Sequence, residues 1–436
     1  MKRKKILKSL LYLVIFGFFA KILSVIAKVI TTRAVGVEGM SIFSLTSPIM
    51  LLLYTLGQIG LPNTISKLIA SNYEKRYKII ISSFIIGTFL NIILFVITNL
   101  SAPFIANVLL KNKNTLKTIY ALSYLTPLVC LSGILKGYCF GVNKINISSV
   151  SQIIEELGRI IFLLLSYNFI TLLNPINASC YAILGLIVAE ISQILTLVVG
   201  NHLTIDTNAN QFIRSFKNKE NYDFKLILNT SLPITLNRLI TSFTYFLEPI
   251  IFTFIMTNKN ISSNDIAIQY GLLESYAMPI LFLPGFFAGA FSTFLLPNMA
   301  KLISLNKLKK ARNLLVILTF SSLIIGLISA SICYLFPEIL LDLLYKNSAA
   351  KEYVKLLAFP FIIYYIEAPL NSAMFALNLE KKSLLITIIS CILRVISLFI
   401  FIPKFDVIGV ALSTLVEVII IVILNLFFII KFFRNN

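Results

Sequence analysis

Six basic side chains lie inside stretches that are otherwise apolar: Lys21, Lys28, Arg159, Arg238, Lys355 and Arg394. Lys21 and Lys28 stand seven residues apart in the run FFAKILSVIAKVI. That spacing is about 700° of helical rotation, so the two share one face. Arg33 follows at the far end of the same segment. A charge at the centre of a membrane-inserted helix costs roughly 2.5–3.5 kcal/mol. Two arrangements reduce that cost. Either the lysines snorkel, Lys21 inward and Lys28 outward, or their face points into protein or a water-filled cavity. A cavity lined by this segment offers cations and no carboxylate, which attracts phosphates or pyrophosphates and repels cationic drugs. Lysine meets such a group as a point charge, whereas arginine can grip it bidentately. Lys21, Lys28, Arg33, Arg159, Arg238 and Arg394 are therefore the candidate anion-binding residues.

Acids in the same stretches set the alternatives. Glu155 and Glu156 precede Arg159 by about one helical turn, with Glu155 at the i−4 position that pairs well. For Arg159 a structural ion pair and a cavity role both stay open. Arg394 has no acid nearby in its own segment, which points to a cavity or an interhelical role. Arg238 lies early enough in its segment to snorkel. Glu190, Glu248, Glu274, Glu367 and Glu417 are the remaining intramembrane acids, and such carboxylates either pair structurally or carry protons or sodium. Glu248 precedes Pro249, which frees a backbone carbonyl one turn earlier, and a carboxylate beside a free carbonyl suits a cation. Glu248, Glu417 and Glu190 are the candidates for Na+ or H+ coupling. No other cofactor is expected. The five cysteines lack metal-type spacing, and His202, the one histidine, sits in a polar loop.

The elements that must hold these residues are transmembrane helices. The chain has 436 residues, 58% hydrophobic and only 13% charged, a composition that no soluble domain of this size could cover. Apolar runs long enough to cross roughly 30 Å of hydrocarbon recur throughout. They predict an all-α polytopic membrane protein with twelve spans, near 10–32, 41–61, 79–100, 118–138, 147–168, 178–200, 226–256, 269–295, 314–335, 352–375, 383–402 and 407–430. A short amphipathic helix is expected at 102–110. Of the 38 basic residues, 24 fall in the segments that are inner if the N-terminus is inside, and eight fall in the outer ones. That asymmetry predicts cytoplasmic N- and C-termini in a plasma-membrane protein. It also accounts for the net charge of +20 without nucleic acid.

The tripeptide Leu-Pro-Asn occurs at 61–63 and again at 296–298, an offset of 235. The same offset carries Gly36 onto Gly271, Phe140 onto Phe375, Asn143 onto Asn378 and Arg159 onto Arg394. Two six-helix halves of the same orientation follow, 1–200 and 226–436, joined by a basic cytoplasmic linker at 201–225. Such a repeat favours alternating access around a central cavity. A major facilitator transporter would carry a Gly-x-x-x-Asp-Arg type loop between spans two and three, where this chain reads PNTISKLIASNYEKRYK.

Three stretches carry a family resemblance: AKILSVIAKVITTRAVGVEGMSIFSLTSPI, GLPNTISKLIA and ILKGYCFGVNKINISSVSQIIEELGRI. The sequence resembles the stage V sporulation protein B group of polysaccharide-export proteins. That group lies in the multidrug/oligosaccharidyl-lipid/polysaccharide exporter superfamily, which includes the lipid II flippase. Similar members often have fourteen spans, two more than expected here. The resemblance implies a two-lobed, V-shaped, non-enzymatic flippase. It would move an undecaprenyl-pyrophosphate-linked oligosaccharide, either lipid II or a polysaccharide repeat unit, from the inner to the outer leaflet. It places Lys21 at a cavity-lining first-span arginine and puts the second such position at Ala27 or Lys28. It also implies a sodium site near Glu248 and Glu417.

The partners implied are the lipid-linked glycan, membrane lipid and cell-wall synthesis enzymes. A cation-coupled multidrug antiporter of the same superfamily is the first rival, and the acid-free first span argues against it. A membrane-embedded polysaccharide polymerase would need large outer loops that the chain lacks. A non-transporting scaffold for cell-wall or spore assembly is the third.

Overall fold

The computed structural model describes residues 2–71, 76–142, 144–204 and 224–435, and among these it is helical with no strand. The chain divides into two compact units, Met1–Phe246 and Leu247–Asn436. In the first unit, α1 covers Lys2–Gln58, α2 Leu61–Ser71, α3 Arg76–Phe104, α4 Leu116–Gly141, α5 Ile145–Leu172 and α6 Pro175–Thr204. Helix α7, Phe224–Asn258, starts in the first unit and ends in the second. The second unit continues with α8 (Ser263–Gly271), α9 (Met278–Phe282), α10 (Gly285–Ser304), α11 (Leu308–Leu335) and α12 (Pro337–Tyr345). It closes with α13 (Lys351–Leu357), α14 (Tyr364–Ala376), α15 (Glu380–Phe405) and α16 (Ile408–Asn435).

The division between units falls later than the expected start at residue 226. Ile227 is fully buried and packs in one cluster with Leu61, Ile65, Ile69 and Ile79, so the first turns of α7 belong with α2 and α3. Most of the expected linker, 205–223, lies outside the described residues, as does Asn143.

Among the described residues nine helices are long and apolar enough to cross a membrane, and a bent pair adds a tenth. The expected spans all fall on helices, and α1 holds two of them. Its 57 residues would run about 85 Å if straight, far more than one bilayer needs. Gly36 breaks it with φ 73° and ψ 177°, so the first two spans meet at one residue without a loop. Many large apolar side chains stay exposed, among them Leu100, Leu165 and Leu172 at 78%, 84% and 86%. Hydrocarbon accepts such a surface and water does not.

Three expected segments differ in detail. Residues 102–110 are not a separate helix, because α3 runs on into a π-helical turn at Ile105–Leu109. The span expected at 269–295 is interrupted. It starts as α8, loosens into a π turn at Leu272–Ala277, and breaks again before α10. Pro279, in the first turn of α9, and Pro284, just past its end, lack the backbone donors that would carry one helix through. Gly271, the offset counterpart of Gly36, stands at the first of these breaks. The span at 352–375 bends by 58° between α13 and the segment from Pro360 to Ala376.

Close packing is specified at single residues. A Cβ on Gly137 would sit 2.7 Å from the Pro62 carbonyl oxygen, so α4 meets α2 where only glycine fits. Asn306 and Asn378 take left-handed conformations just past α10 and α14, with φ of 55° and 56°, which asparagine tolerates better than most residues.

Gly36 supplies a clean test. No atom lies within 4 Å of where its Cβ would be, so a substitution there meets backbone strain and no clash. Gly36→Val should lower stability by about 1–3 kcal/mol, read as a drop in the thermal unfolding midpoint of the detergent-solubilised protein. An unchanged midpoint would show that the break does not need glycine.

Candidate functional site

Each unit buries a group of charged side chains, and the two groups are neutralised differently. In the first unit, Tyr54 of α1, Lys136 of α4, Glu155, Glu156 and Arg159 of α5, and Glu190 of α6 influence one another electrostatically. Lys136 Nζ lies 3.9 Å from Glu155 Oε2, and Gln193 Nε2 of α6 donates to that same oxygen. Glu190 is 6% exposed, with Ser132 and Lys136 as polar neighbours, and its Oε2 has no hydrogen-bond partner among the described residues.

Arg159 is half-buried on the face of α5 that packs against α1. Its Nη2 makes a long hydrogen bond, 3.5 Å, to Thr31 Oγ1. Thr31 is buried and stands one turn beyond Lys28, whose carbonyl accepts from Thr32 Oγ1 at 2.9 Å. Lys28 and Arg33 are half-buried and Lys21 is exposed. The structure thus brings Arg159 to the lysine-bearing arm of α1. It does not pair Arg159 with Glu155 as the i−4 spacing suggested, because Glu155 turns to Lys136 and Gln193. Among the described residues no carboxylate lies within ion-pair distance of Arg159. Arg238, on α7, is exposed and belongs to neither group.

The second unit answers the same problem with acids. Arg394 of α15 is 1% exposed, and its two terminal nitrogens reach carboxylates on two other helices. One donates to Glu417 Oε2 of α16 at 2.5 Å; the other donates to Glu248 Oε2 of α7 and, at 3.1 Å, to Thr414 Oγ1. Tyr270 of α8 donates its hydroxyl to the other Glu248 oxygen at 2.8 Å, and Cys391 Sγ lies 3.8 Å from Glu417 Oε1. Arg394 therefore takes the interhelical role, as the centre of a closed triad. As an anion-binding candidate it offers no terminal nitrogen that is not already engaged. Glu248 and Glu417, the candidates for coupling, are its partners.

The 235-residue offset makes the contrast sharp. Glu248 and Glu417 correspond to Leu13 and Ala182, so the equivalent positions around Arg159 carry no acid. A second network keeps its place and changes its chemistry. Ser132, Lys136 and Glu190 correspond to Glu367, Asn371 and Asn425. In the second unit Asn371 donates to Glu367 at 3.2 Å and Asn425 donates to Asn371 at 2.7 Å.

Long apolar helices that bury such charge clusters define a multi-pass membrane protein of transporter architecture. Residues 6–303 match the polysaccharide biosynthesis protein family, and the chain belongs to that family. It is 28% identical to stage V sporulation protein B of Bacillus subtilis (strain 168) over 98% of this chain and 83% of that one. Lipid II flippase MurJ of the same organism is 26% identical over 37% of this chain and 32% of its own. Two solved structures share the fold. A multidrug resistance MATE family transporter of the MOP superfamily, in an inward-facing conformation, superposes with a TM-score of 0.76 at 16% identity, covering 95% of each chain. Lipid II flippase MurJ in an inward closed conformation gives 0.71 at 18% identity, covering 97% of this chain and 89% of that one.

The triad makes a stability prediction. Arg394→Met would leave Glu248 and Glu417 buried without their common cation, at a cost of about 3–5 kcal/mol. Adding Glu248→Gln and Glu417→Gln should recover much of the lost thermal midpoint. A triple variant no more stable than Arg394→Met would show that the triad is not what holds α7, α15 and α16.

Proposed function

We propose that this protein moves an undecaprenyl-pyrophosphate-linked oligosaccharide, such as lipid II or a polysaccharide repeat unit, from the inner to the outer leaflet. The observation that carries this reading is the position of Arg159 against Thr31, on the lysine-bearing arm of α1, with no carboxylate within ion-pair distance of Arg159 among the described residues. A guanidinium held there, without a carboxylate so close, forms a site for a diphosphate, which would supply a close counter-charge. The polyprenyl tail stays in lipid, which Leu165 and the other exposed apolar side chains of this unit accept. Similarity to stage V sporulation protein B and to MurJ supports the substrate class. The excess of basic residues in the inner segments supports cytoplasmic termini. No bond is made or broken, so the residues bind and release and do nothing covalent.

Coupling to a cation fits Glu190 best among the candidates. Glu248 and Glu417 already share the Arg394 charge, whereas Glu190 keeps an oxygen with no partner. A proton or sodium ion taken up there would neutralise a carboxylate in the same group as Arg159. Release of that cation would restore the negative charge and help expel the diphosphate.

The test is delivery of labelled lipid-linked precursor to the outer leaflet of proteoliposomes. Lys21→Ala and Arg159→Ala should each reduce delivery at least about tenfold, a loss of one charged contact, while membrane insertion stays intact. Arg159→Lys should recover part of it, since the charge returns without the bidentate grip. Full delivery in both alanine variants would overturn the site. No delivery by the unaltered protein would favour a scaffold role.

A further inference from the structure

A groove on the second unit has no part in this reading. It runs along α11, α14 and α16, encloses about 630 Å³, and has walls of Leu315, Phe320, Leu323 and Ile430 among other apolar residues. Arg312 and Arg434 line it too. Arg312 lies in the second turn of α11 and Arg434 in the last turn of α16, and both are exposed, so the two guanidiniums sit at one end of an otherwise apolar trough. Seven residues beyond Arg312, about 10 Å along the helix, Thr319 also lines the groove. Its Oγ1 is turned inward and has no hydrogen-bond partner among the described residues. One rotation about Cα–Cβ exchanges that hydroxyl with the methyl group and presents it to the groove without breaking a protein bond.

The order along the trough is two cations, one hydroxyl donor, then hydrocarbon. We propose that this groove is a binding site for an anionic diacyl glycerophospholipid. The phosphate meets Arg312 and Arg434, an ester carbonyl accepts from Thr319, and the acyl chains lie along Phe320 and Leu323. Basic pockets between helices near a membrane surface hold anionic headgroups in this way. Thr319 decides between the two lipid phosphates present in the bilayer. A polyprenyl pyrophosphate passes directly from phosphate to hydrocarbon and has no acceptor at that depth, whereas a diacyl lipid carries its esters there. The site is thus distinct from the proposed diphosphate site at Arg159, which lies in the first unit.

The test uses the full-length protein in neutral detergent, titrated with phosphatidylglycerol and followed by thermal unfolding. Phosphatidylglycerol should raise the unfolding midpoint and phosphatidylcholine should not. Arg312→Gln with Arg434→Gln should weaken half-saturation by about 30-fold, at about 1 kcal/mol for each arginine. For the unaltered protein, a dialkyl-ether phosphatidylglycerol should bind less tightly than the diacyl form, and Thr319→Val should abolish that difference. Undecaprenyl phosphate should compete poorly. Equal stabilisation by phosphatidylcholine, an unaffected double variant, or undecaprenyl phosphate competing as well as phosphatidylglycerol would overturn the proposal. The delivery assay is read separately, and Arg159→Ala should leave the phosphatidylglycerol titration unchanged, so failure here and failure of the transport reading are distinguishable.

Discussion

A guanidinium in a nonpolar layer must be compensated, and everything distinctive about this protein follows from how each unit does it. Removing a charge from water costs several kcal/mol even after relaxation, and only close, well-oriented partners return it. Around Arg394 both terminal nitrogens find partners. Two carboxylates and a threonine hydroxyl converge on it from α7 and α16, and Tyr270 holds the nearer glutamate in turn. Around Arg159 the same helical position finds a threonine hydroxyl, a lysine-bearing neighbour helix and no paired acid. One unit ties its arginine into its own architecture; on the proposed reading, the other keeps its arginine for an anion that arrives from outside.

The helices are shaped to make this possible. Gly36 lets α1 change direction without a loop, so that the arm bearing Lys28 and Thr31 and the arm bearing Tyr54 both belong to one continuous element. Gly137 lets α4 approach α2 closely, and α4 is the helix that delivers Lys136 to Glu155. In the second unit the chain around α8 and α9 is broken by π geometry and proline. Tyr270, just before that break, places its hydroxyl on Glu248. Breaks in helical geometry at membrane depth recur where side chains must reach a buried polar group.

What could be read from the sequence followed from composition and period. Hydropathy placed the spans on helices, and the 235-residue offset set Arg394 against Arg159 in the sequence. The partners could not be read the same way. Arg394 meets Glu248 across 146 residues and Glu417 across 23, and periodicity tells which face a residue occupies without telling which helix lies opposite. The i−4 rule assigned Glu155 to Arg159 because it considers one helix alone. A lysine and a glutamine on neighbouring helices outcompete that local pairing. The bend in α1 was hidden for a related reason. Hydropathy falls at Gly36 as it would in a loop, whereas the backbone needs only one residue at positive φ.

Two polar networks occupy positions that the 235-residue offset sets against each other, one on α4 and α6 and one on α14 and α16. Positions 132, 136 and 190 carry serine, lysine and glutamate, and their counterparts carry glutamate, asparagine and asparagine. Place is kept and charge is redistributed. In the second unit amide groups carry the chain of hydrogen bonds from a single acid, Asn371 donating to Glu367 and Asn425 to Asn371. In the first unit a lysine and three glutamates share the volume with Arg159, and two glutamate oxygens, Oε2 of Glu156 and of Glu190, have no hydrogen-bond partner among the described residues. A group with more charges than matched pairs changes its energy when an ion or a diphosphate enters, more than a chain of neutral amides around one acid does. On the proposed reading the first-unit group is the one that a ligand would perturb, whereas in the second unit Arg394 is held between Glu248 and Glu417.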